Sequence, residues 1–195
     1  MQVLVIVTNP HVDSFNHALA GVVKDELLKL GHEVFFRDLY QEGFDPVLKP
    51  KENSLQELEL PAFLQEYINL VRQVDGLFFV HPNWWGGVPA ILRGWIERVF
   101  RHDSIYNFTP NGAISRINNK TVQIFSTSNT PKETEINVYG DPVEVFWKKI
   151  IFGLLGSKSF ERRNFGSIVM STKEQREEWL REAKEIVKRR FPSGE

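Results

Sequence analysis

Residues 75–95 constrain the fold of this chain most strongly, because they predict a complete strand–loop–helix unit. The unit begins with Asp75–Val80, an apolar run with charge only at its first residue, which is typical of a parallel strand buried on both faces. A loop with two adjacent tryptophans and two glycines follows. Pro89 then stands where the first turn of a helix tolerates proline, and the apolar residues after it recur with helical spacing.

The two tryptophans of this loop, Trp84 and Trp85, allow two interpretations. Aromatic side chains at the carboxyl end of a parallel strand provide faces on which a planar ligand can stack. They can equally pack over the end of the sheet and close its core from solvent. The residue types alone leave both interpretations open.

The rest of the chain repeats the alternation of strands and helices. Because right-handed crossovers limit the strand order, this pattern predicts an α/β fold: a three-layer, doubly wound, five-stranded parallel sheet in the flavodoxin-like order 2-1-3-4-5. Neither a repeat nor a linker divides the sequence, so we expect a single domain over residues 1–195. The predicted strands are Gln2–Thr8, Glu33–Leu39, Asp75–Val80, Lys120–Ser126 and a short strand within Phe160–Met170; the predicted helices are Phe15–Leu30, Leu55–Val74, Pro89–His102, Pro142–Leu155 and Thr172–Phe191, with long loops at Ser104–Asn119 and Thr127–Asp141.

Composition argues against several classes of function. The formal net charge of -1 gives no field that would attract nucleic acid or an anionic membrane, so neither partner is expected. The chain has no cysteine, which excludes disulfides, thiolate nucleophiles and cysteine-based metal sites, and no metal site is predicted. No apolar run reaches the roughly 18 residues of a membrane span, and the short apolar run of the first strand does not match a signal peptide. We therefore expect a cytoplasmic protein without stable membrane insertion.

Three predicted loops meet at the carboxyl edge of such a sheet, beside the first strand. They are Asn9–Asn16 after strand one, Pro82–Val88 after strand three and Thr127–Asp141 after strand four. Ligands of doubly wound sheets bind at this edge, where the strand order reverses. The convergence of the three loops therefore predicts a binding site without reference to any family.

The first loop offers the N–H groups of a helix N-terminus together with Ser14, and both favour a phosphate group. It contains neither G-x-G-x-x-G nor a Walker lysine, which argues against a Rossmann dinucleotide site or an NTPase. His11 can donate to the same phosphate. Two simpler interpretations stay open: Ser14 caps its own helix, and His11 is a solvated turn residue.

The other two loops suit a flat ring. Glycines beside Trp84 and Trp85 let a planar group approach the backbone. The stretch Ser126–Pro131 is rich in small hydroxyl and amide side chains, which can bond the carbonyl edge of a flavin or simply form a tight turn. A planar, anionic cofactor with many hydrogen-bonding groups satisfies all three loops, and a flavin nucleotide fits that description.

Three sequence blocks add a resemblance to this interpretation: His11-x-x-Ser14-Phe15-Asn16, Asp38-Leu39-Tyr40 followed by Phe44-Asp45-Pro46, and Pro82–Phe100, which reads PNWWGGVPAILRGWIERVF. With them, nearly the whole chain resembles the NAD(P)H:quinone oxidoreductases of flavodoxin-like fold, the group of DT-diaphorase, bacterial quinone reductases and modulators of drug activity. The third block aligns to the family signature without gaps. The resemblance implies FAD as cofactor with FMN as the alternative, NAD(P)H as co-substrate, ping-pong reduction of a quinone or similar acceptor, and a homodimer.

The resemblance also implies a role for individual residues. The phosphate-bearing chain of the flavin would contact the first loop, the ring would lie on the second, and the third would close over its other edge. A further segment would border the substrate pocket across the homodimer interface. The residues of the first loop are His11, Ser14, Phe15 and Asn16, and those of the second are Pro82, Asn83, Trp84, Trp85 and Gly86, with Trp85 at the family's tryptophan position. The residues of the third loop are Ser126, Thr127, Ser128 and Asn129, and the segment at the substrate pocket is Tyr106, Asn107 and Phe108.

The loop after strand four departs from the family pattern. Family members carry glycines, a tyrosine and a histidine there, whereas this chain has Ser128 and Asn129 in place of glycines and Tyr139 in place of the histidine. A phenol donates a hydrogen bond but is a poor proton shuttle at neutral pH, so we expect Trp85 and Tyr139 as catalytic residues with reduced catalytic power. Two rival hypotheses stay open: a flavin-binding regulatory or electron-transfer subunit of the potassium-efflux ancillary type, and a nitro- or azoreductase on the same scaffold.

Overall fold

The computed structural model describes residues 1–53 and 60–193, and its strands form two separate sheets. The strands are β1 (Gln2–Val7), β2 (Glu33–Asp38), β3 (Gly76–Pro82), β4 (Tyr106–Thr109), β5 (Gly112–Ser115), β6 (Thr121–Thr127) and β7 (Ser159–Phe165). Five of them pair in parallel in the order β2-β1-β3-β6-β7, while β4 and β5 form an antiparallel hairpin. Without the hairpin, the order is the predicted 2-1-3-4-5, so the predicted topology is confirmed.

The helices alternate with the strands as predicted. They are α1 (Phe15–Lys29), α2 (Ala62–Gln73), α3 (Ala90–Val99), α4 (Pro142–Glu144), α5 (Phe152–Leu155) and α6 (Lys173–Arg190), with a π-helical segment at Val145–Ile151 between α4 and α5. The predicted start of the second helix at Leu55 lies outside the described residues. None of the described helices is both long and apolar enough to cross a lipid bilayer.

Two segments that the sequence predicted as loops contain regular structure. Within Ser104–Asn119, β4 and β5 pair in register, with Tyr106 opposite Ser115. Each of these strands has only four residues, which is too short for an alternating pattern to be recognised. Within Thr127–Asp141, the chain forms a π-helical turn at Thr134–Val138. A single turn has no apolar periodicity, so both predictions of irregular structure were wrong for a local reason.

Two hydrophobic clusters cover the two faces of the parallel sheet. Alternate residues of each buried strand point to opposite faces, so Leu4 and Ile6 of β1 join one cluster while Val3 and Val5 join the other. The first cluster packs on α2, α3 and the segment around Trp147, and the second packs on α1 and α6. A sheet buried on both faces explains why its strands read as continuous apolar runs.

The segment after β2 is held against α3 by a close contact and an ion pair. Gly94 lies against Pro46, and a side chain at position 94 would collide with the Pro46 carbonyl. One turn further on, the Arg98 guanidinium binds both carboxylate oxygens of Glu52 at 2.8 and 2.6 Å, with both side chains buried. These contacts fix α3, and with it the loop that precedes α3 at the carboxyl edge of the sheet.

Candidate functional site

Two clefts open at the carboxyl edge of the sheet, and Asn83 lines both of them. The first has a volume of about 440 Å³ and lies between the start of α1 and the ends of β3 and β6. The second has a volume of about 390 Å³ and lies between the turn after β3 and the start of α4. The first is lined by Asn9, His11, Asp13, Ser14, Phe15, Asn16, Pro82, Asn83, Trp84, Thr127, Ser128, Asn129, Ile168 and Val169, and the second by Asn83, Trp85, Gly86, Thr130, Glu135, Tyr139 and Pro142.

The structure thus brings together most of the predicted site residues. The three loops meet as expected, because all of them follow neighbouring parallel strands. Ser126 and the hairpin residues Tyr106, Asn107 and Phe108 line neither of these two clefts. If these residues have their predicted roles, they must contact a ligand outside these two clefts.

Ser14 caps α1, as one of the two sequence interpretations proposed. Its Oγ accepts the His17 backbone N–H at 3.3 Å and lies 2.9 Å from His17 Nδ1, while His17 Nε2 lies 2.8 Å from Asp38. Because a carboxylate only accepts, Nε2 carries a proton and donates it to Asp38, while Nδ1 makes its hydrogen bond with the Ser14 hydroxyl. The first-turn N–H groups of Phe15 and Asn16 are the donors that a helix start leaves for a ligand. Sequence reasoning missed His17, and it named Asp38 only within a block of the resemblance, without a role.

Asn16 presents a buried donor at the first cleft. Its Oδ1 accepts from Asn9 Nδ2 at 3.0 Å and from Thr127 Oγ1 at 3.2 Å, which fixes the orientation of the amide. Its Nδ2 has no hydrogen-bond partner in the part of the chain that the structure describes, although the residue is only 2% exposed. An unsatisfied buried donor costs about 1–3 kcal/mol, and a phosphate or hydroxyl oxygen of a ligand would satisfy it. This donor set fits the phosphate-bearing chain of a flavin nucleotide.

The loop after β3 forms a tight turn with two tryptophans at its tip. Trp84 and Gly87 exchange two backbone hydrogen bonds of 3.0 Å, and the two residues between them have left-handed backbones, with φ of 54° at Trp85 and 71° at Gly86. A left-handed tryptophan costs about 1 kcal/mol or more, and such strain concentrates at functional sites. Trp85 is fully exposed and Trp84 is 42% exposed, so neither closes the core of the sheet. The interpretation of the pair as a plug is wrong.

His81 holds the start of this turn from beneath. Its side chain is completely buried, accepts the Trp147 indole N–H at Nε2 (2.9 Å) and donates from Nδ1 to the Pro82 carbonyl (2.9 Å). Burial, together with a smaller contribution from the nearby Arg162 charge, lowers the pKa of His81 to about 4, so the ring is neutral at pH 7. Sequence reasoning missed this residue, for which the signal was a histidine at the end of an apolar strand.

Glu135 connects the ends of three adjacent strands. It lies in the π-helical turn, is 2% exposed, and accepts from Asn83 Nδ2 at 3.0 Å, Ser128 Oγ at 3.2 Å and Asn164 Nδ2 at 2.7 Å. Asn83 follows β3, Ser128 follows β6 and Asn164 lies in β7. Arg162 lies 3.9 Å from the same carboxylate. Sequence reasoning missed Glu135 and its arrangement.

Arg162 is the buried cation of this part of the molecule. Besides Glu135, it binds Asp141 at 2.6 Å and Glu144 at 3.0 Å, and it donates to Ser126 Oγ at 3.0 Å. Ser126 therefore lies behind the clefts, where its hydroxyl accepts a hydrogen bond from Arg162. This network fixes the segment that leads from the π-helical turn into α4.

Tyr139 stands at the rim of the second cleft, opposite the tryptophan turn. It is 61% exposed and is followed by Gly140 and Asp141, both with left-handed backbones (φ of 71° and 49°). Pro142 lies next to Gly86, since a Cβ at position 86 would be 3.1 Å from Pro142. Trp85 and Tyr139 thus provide aromatic walls around a polar floor formed by Asn83 and Glu135.

The hairpin residues lie apart from both clefts. Tyr106 and Asn107 are half-buried in β4, and Phe108 is 62% exposed and stacks on His102 with ring centroids 6.0 Å apart. The Tyr106 ring packs edge-on against Phe108. On β5, Ile114 is 60% exposed and adds to the apolar surface of the hairpin.

A five-stranded, doubly wound parallel sheet in the order 2-1-3-4-5, with clefts at its carboxyl edge, defines an α/β protein of the doubly wound class. The model of the family described as flavodoxin-like fold matches residues 1–190. The chain therefore belongs to the flavodoxin-like family.

Relatives of known name and structure share the fold and part of the sequence. An uncharacterised NAD(P)H oxidoreductase from Haemophilus influenzae is 34% identical over 142 residues, which cover 71% of this chain and 70% of that protein. NAD(P)H dehydrogenase (quinone) 1 from Cavia porcellus is 32% identical over 123 residues, but the match covers only 45% of that enzyme. The crystal structure of Smu.1420 from Streptococcus mutans has a TM-score of 0.87 and 32% identity, covering 97% of this chain and 100% of that one.

Proposed function

We propose that this chain is a flavin-dependent NAD(P)H oxidoreductase that reduces quinones or similar acceptors by a ping-pong mechanism. The pair of clefts that share Asn83 carries the proposal: one offers unpaired donors at a helix start, and the other offers exposed aromatic walls. The names of the Haemophilus influenzae and Cavia porcellus relatives support the same reaction class. Residues 1–195 would act as one flavin-binding domain.

The first cleft would hold the phosphate-bearing chain of the flavin. The N–H groups of Phe15 and Asn16 and the unpaired Asn16 Nδ2 are donors for phosphate oxygens. His11, which is exposed at the rim, would add a further donor. Exposed Val169 extends this rim with apolar surface, which favours the adenine of FAD over FMN.

The second cleft would hold the nicotinamide and then the acceptor. When bound, the flavin supplies the two-electron transfer between them. Trp85 and Tyr139 would sandwich a planar substrate and exclude water from it, and the Tyr139 hydroxyl would donate a hydrogen bond to a carbonyl oxygen. Because one pocket would serve both substrates in turn, we expect parallel lines in double-reciprocal plots.

The hairpin would complete the site from a second copy of the chain. Phe108 and Ile114 expose apolar surface that a homodimer interface would bury. We further propose that the protein works in the cytoplasm, where NAD(P)H is available. A stable monomer with full turnover in light scattering and kinetic assays would contradict the role of Tyr106–Phe108 across an interface.

The decisive experiment is the visible spectrum of the purified protein before and after anaerobic addition of NADH or NADPH. A flavin absorption band that bleaches supports the proposal, and mass spectrometry of the released cofactor distinguishes FAD from FMN. Turnover with a panel of quinones, azo dyes and nitroaromatics then identifies the acceptor. Turnover below about 0.01 per second with every acceptor would favour a regulatory flavoprotein. A protein that takes up neither flavin would overturn the proposal.

A further inference from the structure

The carboxylate of Glu135 determines which way the Asn83 amide faces. A carboxylate only accepts hydrogen bonds, so the Asn83 atom that lies 3.0 Å from Glu135 Oε1 must be Nδ2. The other carboxylate oxygen is held by Asn164 Nδ2 at 2.7 Å and by Ser128 Oγ at 3.2 Å, which prevents the carboxylate from turning away. Asn83 therefore has one fixed orientation.

This orientation leaves the Asn83 oxygen as an acceptor without a donor. Asn83 Oδ1 is buried and has no hydrogen-bond partner within residues 1–53 and 60–193, although Asn83 lines both clefts. Buried polar atoms are nearly always paired in folded proteins, so an unpaired acceptor at the junction of two clefts indicates a ligand that donates to it. The Asn83 backbone is also fixed, since its N–H donates to the Thr127 carbonyl at 2.6 Å.

We propose that Glu135 is a positioning residue that holds the Asn83 side-chain oxygen as the acceptor for the single ring N–H of a flavin. The inference rests on the proposed function. The pyrimidine edge of an isoalloxazine ring has one N–H donor, at N3, between two carbonyl acceptors. If Glu135 holds the Asn83 oxygen in place, that oxygen selects a ligand with the N3–H donor at this position. If the Asn83 amide were free to flip, it could instead donate its N–H to either of the neighbouring flavin carbonyls.

Substitution of Glu135 by glutamine tests this orientation directly. The glutamine side chain can donate, so the Asn83 amide can turn over and present Nδ2 where Oδ1 stood. The experiment measures the dissociation constants of the flavin that the protein binds and of its N3-methyl derivative, which lacks the ring N–H. Fluorescence quenching provides this readout without turnover. The matched control is Glu133→Gln, which changes the same residue type in the same loop at an exposed position without a side-chain capping bond.

For the wild-type protein and Glu133→Gln we expect a preference of about tenfold for the unmethylated flavin, the size of one hydrogen bond to an otherwise unpaired group. Glu135→Gln should lose this preference. A purely structural role would weaken the binding of both flavins by the same factor and leave their ratio unchanged, which would overturn the proposal. Circular dichroism and thermal unfolding establish that each variant is folded.

A second variant keeps the test decisive if Glu135→Gln does not fold. Asn83→Ala removes the acceptor itself, so it should also lose the preference, and retention of the preference by Asn83→Ala would overturn the proposal. In the double variant Glu135→Gln/Asn83→Ala, the ratio should not change beyond that of Asn83→Ala. A wild-type protein that binds neither flavin contradicts the proposed function, whereas one that binds both flavins equally contradicts only the role of Glu135.

Discussion

The loops after β1 and β6 are both rich in small polar residues and both line the first cleft, but they use these residues differently. Where the loop after β1 passes into α1, the Asn16 amide is oriented by two neighbours and keeps an unpaired donor at the cleft. In the loop after β6, Ser128 donates to Glu135 and accepts from Asn164, while Ser126, at the end of β6 itself, accepts from Arg162. The first loop thus leaves a donor for a ligand, whereas the side chains of the second form hydrogen bonds within the protein and stabilise the conformation of the loop.

This difference shows that residue type alone does not predict whether a polar side chain is free to bind a ligand. A serine hydroxyl is a donor for a ligand only if nothing nearer accepts its proton, and a buried carboxylate is such an acceptor. The predicted contact of Ser126 and Ser128 with a flavin edge stays a prediction. If it occurs, it must go through the backbone or through a rearrangement of the Glu135 network.

Substitution of Arg162 should have the largest effect on the unfolding free energy, because it breaks the hydrogen bonds and ion pairs that hold the loop after β6. Arg162→Met leaves Glu135, Asp141 and Glu144 without their shared cation, and an uncompensated buried charge costs about 3–5 kcal/mol of unfolding free energy. Denaturant unfolding measures this loss. Arg163→Met is the matched control, because Arg163 pairs with Glu182 at the surface, where an ion pair contributes about 1 kcal/mol or less. Equal losses for the two variants would contradict the role of Arg162 as the shared cation of Glu135, Asp141 and Glu144.

Acid should destabilise the junction between the two loops through His81. Its folded-state pKa of about 4 lies below the ordinary value of 6.5, so the unfolded chain binds the proton first as the pH falls. The stability that depends on neutral His81 is complete above about pH 6.5 and is lost progressively toward pH 4, by about 3 kcal/mol in total. Unfolding free energies measured across this window should fall more steeply for wild type than for His81→Gln. Parallel slopes would mean that His81 does not control this loss.

Much of this architecture could be predicted from the sequence, because strands buried on both faces and helices with one apolar stripe each leave a pattern. The convergence of the three loops followed from topology, and the resemblance predicted Asn16 and Asn83 as site residues, both of which line the clefts. The roles of Glu135, His81 and Arg162 could not be predicted, because they depend on partners that are distant in sequence, such as Trp147, which is 66 positions from His81. A charged residue in a loop looks the same in sequence whether it is solvated or connects three strands.

The two loops should also differ in their effect on flavin affinity. Asn16→Ala removes the unpaired donor and should raise the dissociation constant of the flavin about tenfold or more. Ser128→Ala removes a hydroxyl that bonds within the protein, so its main effect should be a loss of about 1 kcal/mol of unfolding free energy, with a smaller change in affinity. Titration and denaturant unfolding of both variants give the comparison. A larger affinity loss for Ser128→Ala would reverse the assignment of the two loops.

The smallest expected effect on stability is that of Trp85→Gly, which should raise the unfolding free energy but lower turnover. This residue has a left-handed backbone and a fully exposed side chain, so Trp85→Gly relieves strain without removing packing. We expect a gain of about 1 kcal/mol in unfolding free energy, together with a loss of turnover as one aromatic wall of the second cleft disappears. Trp84→Gly is the matched control: its backbone is not left-handed and its side chain is partly buried, so it should lower stability. A stabilised Trp85→Gly protein with unchanged turnover would show that the strain at Trp85 serves no role in the reaction.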